Sequence, residues 1–144
     1  MVDRYVLDTS AIMTMWQDED GSNDVAGLIA EAAFGGCELY LSFMTFFEAY
    51  YITKRKAGES KALEIYYWLT SSSAKRVNLE EDILVKAGDL KAKYQISAAD
   101  AWIIATALFK NAAVVHKDSE FDRITDLPIA FMKVPRSGTK AQRS

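Results

Sequence analysis

The sequence predicts an α/β fold: a three-layer α/β/α sandwich built on a central, mostly parallel five-stranded sheet. Strand-like runs alternate with helix-like segments along the chain, the pattern of a sheet covered on both faces. Residues 112–115 (Ala-Ala-Val-Val) form a compact apolar run, which suits a buried strand. Residues 101–108 are apolar except for Thr106, so one helix is expected to be buried nearly all round. A chain of 144 residues is long enough for one domain with its own core. We expect that domain over residues 1–134 and a basic, disordered tail over 135–144.

Each element has a local signal. Residues 4–7 read as the first strand, and Asp8-Thr9-Ser10 can cap a helix reaching about Gln17. A turn at 18–21 precedes a helix with Val25, Leu28, Ile29 and Ala32 on one face, stopped by Gly35-Gly36. Residues 37–41 are the second strand. Thr45-Phe46-Phe47-Glu48 has capping-box spacing and predicts a helix to about Lys56, ended by Gly58. Residues 60–69 are a further helix, and 75–79 a short third strand. Asn78-Leu79-Glu80-Glu81 repeats the capping spacing before a helix carrying Ile83, Leu84, Ala87, Leu90 and Tyr94. Ser97 and Asp100 open the buried helix, which runs to about Lys110. The fourth strand, 112–115, leads into His116-Lys117-Asp118. A helical turn over 119–124 and a fifth strand over 128–134 complete the domain, which Pro135 closes.

Composition narrows the chemistry. The net charge is −3, but residues 127–144 hold four of the 17 basic residues and none of the 20 acidic ones. That tail is therefore +4 and the remainder −7, so the body itself would repel a polyanion unless cations offset it. Cys37 is the only cysteine, which excludes an internal disulfide and a cysteine-held zinc. No stretch suits a membrane span or a cleaved leader, so a cytoplasmic location is expected.

Four acids stand at the places where an open α/β sheet binds ligands. Asp8 follows the first strand and Asp118 lies just past the fourth. Glu48 and Asp100 are expected in the first turns of helices that can open at the same edge. Each acid has a plainer reading as a helix cap, a dipole partner or a turn residue. Capping does not require all four to gather at one edge. Carboxylates packed together repel and take up protons unless a cation neutralises them. With a single histidine, His116, the available ligands are hard oxygens, which suit Mg²⁺ or Mn²⁺. Such a site can bind a phosphodiester, activate water and stabilise the leaving oxygen, so a metal-dependent phosphodiesterase is expected.

These residues carry a resemblance. Leu-Asp8-Thr-Ser-Ala, Phe-Phe-Glu48, Ala-Ala-Asp100-Ala-Trp-Ile-Ile-Ala-Thr-Ala and Asp118-Ser-Glu-Phe, in this order, resemble the PIN domain over residues 2–134. They are most similar to the small PIN ribonucleases that act as toxins in VapBC toxin–antitoxin pairs. The resemblance implies a PIN-like nuclease domain and an endoribonuclease using Mg²⁺ or Mn²⁺. It assigns catalysis and metal binding to Asp8, Glu48, Asp100 and Asp118, with Glu120 or Asp122 peripheral. It also implies a homodimer and a cognate antitoxin protein that covers the active site. One departure is visible: members often carry Thr or Ser two residues before the last acid, where this chain has His116. Thr9 or Ser10 can supply a polar contact instead.

Tyr50, Tyr51, Tyr66, Tyr67 and Trp68 fit core or protein interface better than base stacking. Phe43, Phe46 and Phe47 can form a groove wall or dimer face. Lys54-Arg55-Lys56 and the basic tail are the candidates for RNA phosphates. Three other classes compete. A haloacid-dehalogenase-like phosphatase needs Asp-x-Asp, and here Asp8-Thr9-Ser10 lacks the second acid. A receiver domain wants paired acids after the first strand and a lysine after the last, which fit poorly. A non-catalytic PIN-like RNA- or protein-binding module, or a PIN RNA-processing or structure-specific nuclease without an antitoxin, remains as the alternative.

Overall fold

The computed structural model describes residues 2–136. Strands β1 (Asp3–Leu7), β2 (Cys37–Ser42), β3 (Lys75–Val77), β4 (Ala113–His116) and β5 (Phe131–Lys133) form one sheet in the order β3-β2-β1-β4-β5. Every pairing is parallel, so the expected mostly parallel sheet is wholly so. Helices α1 (Thr9–Trp16), α2 (Ser22–Ala33), α3 (Phe43–Ala57) and α4 (Glu59–Ser71) cover one face. Helices α5 (Glu81–Lys93) and α6 (Ala98–Lys110) cover the other.

The two-residue repeat of a strand builds both cores at once. Val6 and Val114 point into the α5–α6 core, while their neighbours Leu7 and Val115 point into the core under α1–α4. All four are fully buried. This is why the central runs are apolar without alternation. On α6, Ile103, Ile104, Ala105 and Ala107 are fully buried, as the apolar run predicted.

Chain direction fixes the edge that matters. From β1 the chain steps outward through β2 to β3, then returns to place β4 on the other side of β1. The strand order therefore reverses between β1 and β4, which makes their carboxyl ends the switch point where such sheets hold ligands. The Asp8 N–H donates to the Val115 carbonyl at 2.9 Å, carrying the β1–β4 ladder to that edge.

Several expected boundaries move. Helix α3 is not opened by a Thr45–Glu48 capping box. Ser42 ends β2 with extended backbone and its hydroxyl accepts the Met44 N–H at 3.2 Å, so the helix starts at the strand end with no loop between. Helix α5 begins at Glu81, not from an Asn78 cap. Glu80 holds the capping position without a side-chain bond, and Glu81 and Asp82 complement the helix dipole. Gly58, at φ +91°, ends α3 and starts α4 in one residue, so α4 begins at Glu59 and not at 60. That backbone region favours glycine. Strands β3 and β5 are shorter than expected because each pairs on one side only, β3 with β2 and β5 with β4. At the end of the described chain the Arg136 N–H donates to Asp24 Oδ2 at 3.0 Å. The rest of the expected tail, residues 137–144, lies outside the described residues.

Candidate active site

The switch-point edge gathers acids from four segments. Asp8 is both the N-cap of α1 and a site residue: its Oδ2 accepts the Ser10 N–H at 3.1 Å and the Ser10 hydroxyl at 2.5 Å. Its other oxygen, Oδ1, is buried with no hydrogen-bond partner among the described residues. Asp8 is 3% exposed. Burial pushes its carboxyl up to about 6, against the two Ser10 hydrogen bonds, with the charges of Glu48 and Asp118 adding to the rise.

Asp100 stands at the third position of α6. Its N–H donates to the Ser97 hydroxyl at 3.1 Å, so the backbone half of the expected capping box is made. The carboxylate faces Asp118 and Glu120, and ligand oxygens of the three lie within 4.8 Å of one another. Burial first, then the charges of Asp8, Glu120 and Asp118 with a Glu120 contact, push Asp100 up to about 8. Asp118 caps the short 3-10 turn Ser119–Arg123 by accepting the Glu120 N–H at 2.9 Å. That turn folds Glu120 back beside its own cap.

Glu48 sits in the second turn of α3, which removes the capping reading from it. Thr9 donates its hydroxyl to Glu48 Oε1 at 2.6 Å and lies 3.4 Å from the fully buried Thr45 hydroxyl. Burial raises the Glu48 carboxyl above the ordinary range, and the Thr9 hydrogen bond partly offsets it. Two consecutive hydroxyls thus hold two different acids.

The expected peripheral acids separate. Glu120 joins the cluster, whereas Asp122 is half-exposed and paired with Lys133 at 3.0 Å. The spacing Asp118-x-Glu120 in a tight turn was the available signal for Glu120. His116 is buried edge-on to Phe121 at 4.8 Å and near Phe131 at 6.2 Å, with the Asp118 backbone also within its reach. Burial lowers its basicity, and its Nδ1 has no partner among the described residues. Lys54 and Arg55 lie over the Tyr50 and Tyr51 rings near the far end of α3, about 9 Å along the axis from Glu48.

The carboxylate oxygens suit a hard divalent cation. The buried Oδ1 of Asp8, unpartnered among the described residues, and the raised pKa of Asp8 and Asp100 describe a site short of positive charge.

Fold and site together define a parallel α/β domain with a cluster of acids at the topological switch point. The sequence matches the PIN domain over residues 5–127, and the chain belongs to that family. The structure is similar to DNA-bound VapBC from Salmonella typhimurium, with TM-score 0.69 and 18% identity over 92% of this chain and 98% of that one. It is also similar to VapBC-1 of nontypeable Haemophilus influenzae, with TM-score 0.66 and 24% identity over 90% and 97% of the two chains. A third neighbour is VapC20 of Mycobacterium tuberculosis, a sarcin–ricin loop cleaving toxin, with TM-score 0.64 and 14% identity over 85% and 98%. No curated protein matches the sequence.

Proposed function

We propose that this protein is a Mg²⁺- or Mn²⁺-dependent endoribonuclease and the toxin of a type II toxin–antitoxin pair. The observation that carries the reading is the convergence of Asp8, Glu48, Asp100 and Asp118, from four distant segments, on one edge, where Asp8, Glu48 and Asp100 hold their protons above the ordinary carboxylate range. These four would hold the ion, with Glu120 beside Asp100 and Asp118. When bound, the cation supplies the positive charge that lets the carboxylates ionise together and that a phosphodiester and its leaving oxygen require.

The chain's own residues do the rest. Asp8 presents Oδ1 because Ser10 occupies Oδ2. Thr9 fixes Glu48 in one orientation. His116 takes no part as a base, since it is buried in an aromatic pocket. The rigid, buried body of α6 keeps the Asp100 carboxylate in place.

The toxin–antitoxin neighbours support an antitoxin partner, and one surface offers a place for a protein contact. A groove of about 460 Å³ between α3 and α4 is lined chiefly by aromatic rings, among them Phe43, Phe46, Phe47 and Tyr67. Phe47 is 60% and Tyr67 63% exposed, an apolar patch of the kind that marks a protein contact. We assign this face to the cognate antitoxin or to the second subunit of a homodimer. Among the described residues no helix is long and apolar enough to cross a membrane, in keeping with a cytoplasmic place of action.

The test is cleavage of end-labelled RNA in Mg²⁺ or Mn²⁺, with EDTA and Asp100→Asn as controls. Cleavage is expected only for the metal-loaded natural sequence. Equal cleavage by Asp100→Asn, or activity that survives chelation, would sink the reading and favour a non-catalytic binding module. Specific cleavage without any antitoxin-type partner in the cell would point to an RNA-processing PIN enzyme.

A further inference from the structure

We propose that Ser10 is a positioning residue that ties Asp8 to the turn carrying Asp118 and selects which Asp8 oxygen meets the cation. The inference rests on the metal-site reading given above. The Ser10 hydroxyl has one proton, and it goes to Asp8 Oδ2 at 2.5 Å. The Ser10 hydroxyl oxygen in turn accepts the Lys117 N–H at 2.9 Å, across 107 positions of sequence. Lys117 lies between the last residue of β4 and Asp118. A single hydroxyl therefore joins the end of β1 to the end of β4, at the point where the strand order reverses.

The clasp has a directional consequence. Asp8 Oδ2 receives two donors from Ser10, its N–H and its hydroxyl, and is saturated. Oδ1 is left buried with no partner among the described residues, as the one Asp8 carboxylate oxygen whose lone pairs remain open there. Without the hydroxyl, the carboxylate is free to turn about its own bond, and the Lys117 N–H loses its acceptor. Both ligands, Asp8 and Asp118, then lose a shared reference. Groups that orient metal ligands in this way typically matter by about 10–100-fold in metal affinity or activity.

The experiment is Mn²⁺ titration by calorimetry on the full chain, without RNA, for the natural sequence, Ser10→Ala, Ser10→Thr, Ser10→Val and Asp100→Asn. Ser10→Ala is expected to bind Mn²⁺ about 10-fold more weakly. Thr and Val have nearly the same shape, so that pair isolates the hydroxyl. Ser10→Thr is expected to stay within about threefold of the natural affinity, and Ser10→Val to fall with Ser10→Ala. A melting curve for each variant separates this from a purely structural role, which would lower Tm and leave Mn²⁺ affinity alone. Equal affinity of the Thr and Val variants overturns the proposal even if Ser10→Ala fails to fold. If Ser10→Val binds normally while Asp100→Asn does not, the clasp fails and the metal site stands. If Asp100→Asn also binds normally, the metal site itself is wrong.

Discussion

Replacing Asp100 by Asn should stabilise the metal-free protein at alkaline pH, which is opposite to what loss of a helix-capping acid would do. The folded Asp100 titrates at about 8 instead of near 3.8. Between those values the folded chain keeps a proton that the unfolded chain has released. The stability this group contributes is complete below its unfolded value and is lost as pH rises through 8. From pH 5 to 8.5 about three pKa units are crossed, a ceiling of about 4 kcal/mol. The mouth of the site admits water, so we take about half, ~2 kcal/mol. Unfolding entropy near 2 cal/mol/K per residue makes that about 7 °C for a chain of this length. The assay is thermal unfolding by circular dichroism in EDTA at pH 5.0 and 8.5. The natural sequence should lose about 7 °C more than Asp100→Asn across the interval, leaving the variant the more stable at pH 8.5. If Asp100 only serves the helix dipole, Asn costs up to about 1 kcal/mol at pH 8.5 and the two pH slopes coincide. That result would refute the reasoning.

Other substitutions read out neighbouring features. Thr9→Val removes the donor to Glu48 Oε1, so Glu48 should hold its proton more tightly; we expect about 1 kcal/mol lower stability and weaker Mn²⁺ binding, and no change in either would remove Thr9 from the site. His116→Leu deletes an Nδ1 that has no partner among the described residues, along with the ring's contact to the Asp118 backbone, and should move Tm by only a few degrees. It should also leave RNA cleavage unchanged, and a loss above about 10-fold would return His116 to the chemistry. Phe47→Glu charges a 60% exposed side chain in the α3–α4 groove. Tm should hold while self-association by analytical ultracentrifugation or co-purification with a partner is lost; unchanged association would place the interface elsewhere.

The fold was readable because both-face burial leaves a strong trace: apolar runs at 112–115 and 101–108 had one physical use. The helix starts were less so. Thr45 and Glu48 have capping-box spacing, yet Ser42 captures the helix because it ends β2 directly, and the same shift frees Glu48 for the site. No pattern local to residues 42–48 distinguishes the two starts. Asp8, Glu48, Asp100 and Asp118 could be picked out because parallel topology sends strand ends and helix starts to one edge. Glu120 was undervalued, since its place depends on the tight turn that Asp118 caps. Ser10 was invisible as a link, because its acceptor role involves an N–H 107 residues away. His116 stands at a strand end where either face was open, and the β4 alternation turned it toward Phe121 and Phe131.

The most direct test of the acid site is anomalous diffraction from crystals soaked in Mn²⁺ near pH 8. A manganese peak in contact with Asp8 Oδ1 and the Asp100–Asp118 carboxylates is expected, and it should vanish in Asp100→Asn. Manganese bound only elsewhere, or a site still filled in that variant, would contradict the assignment.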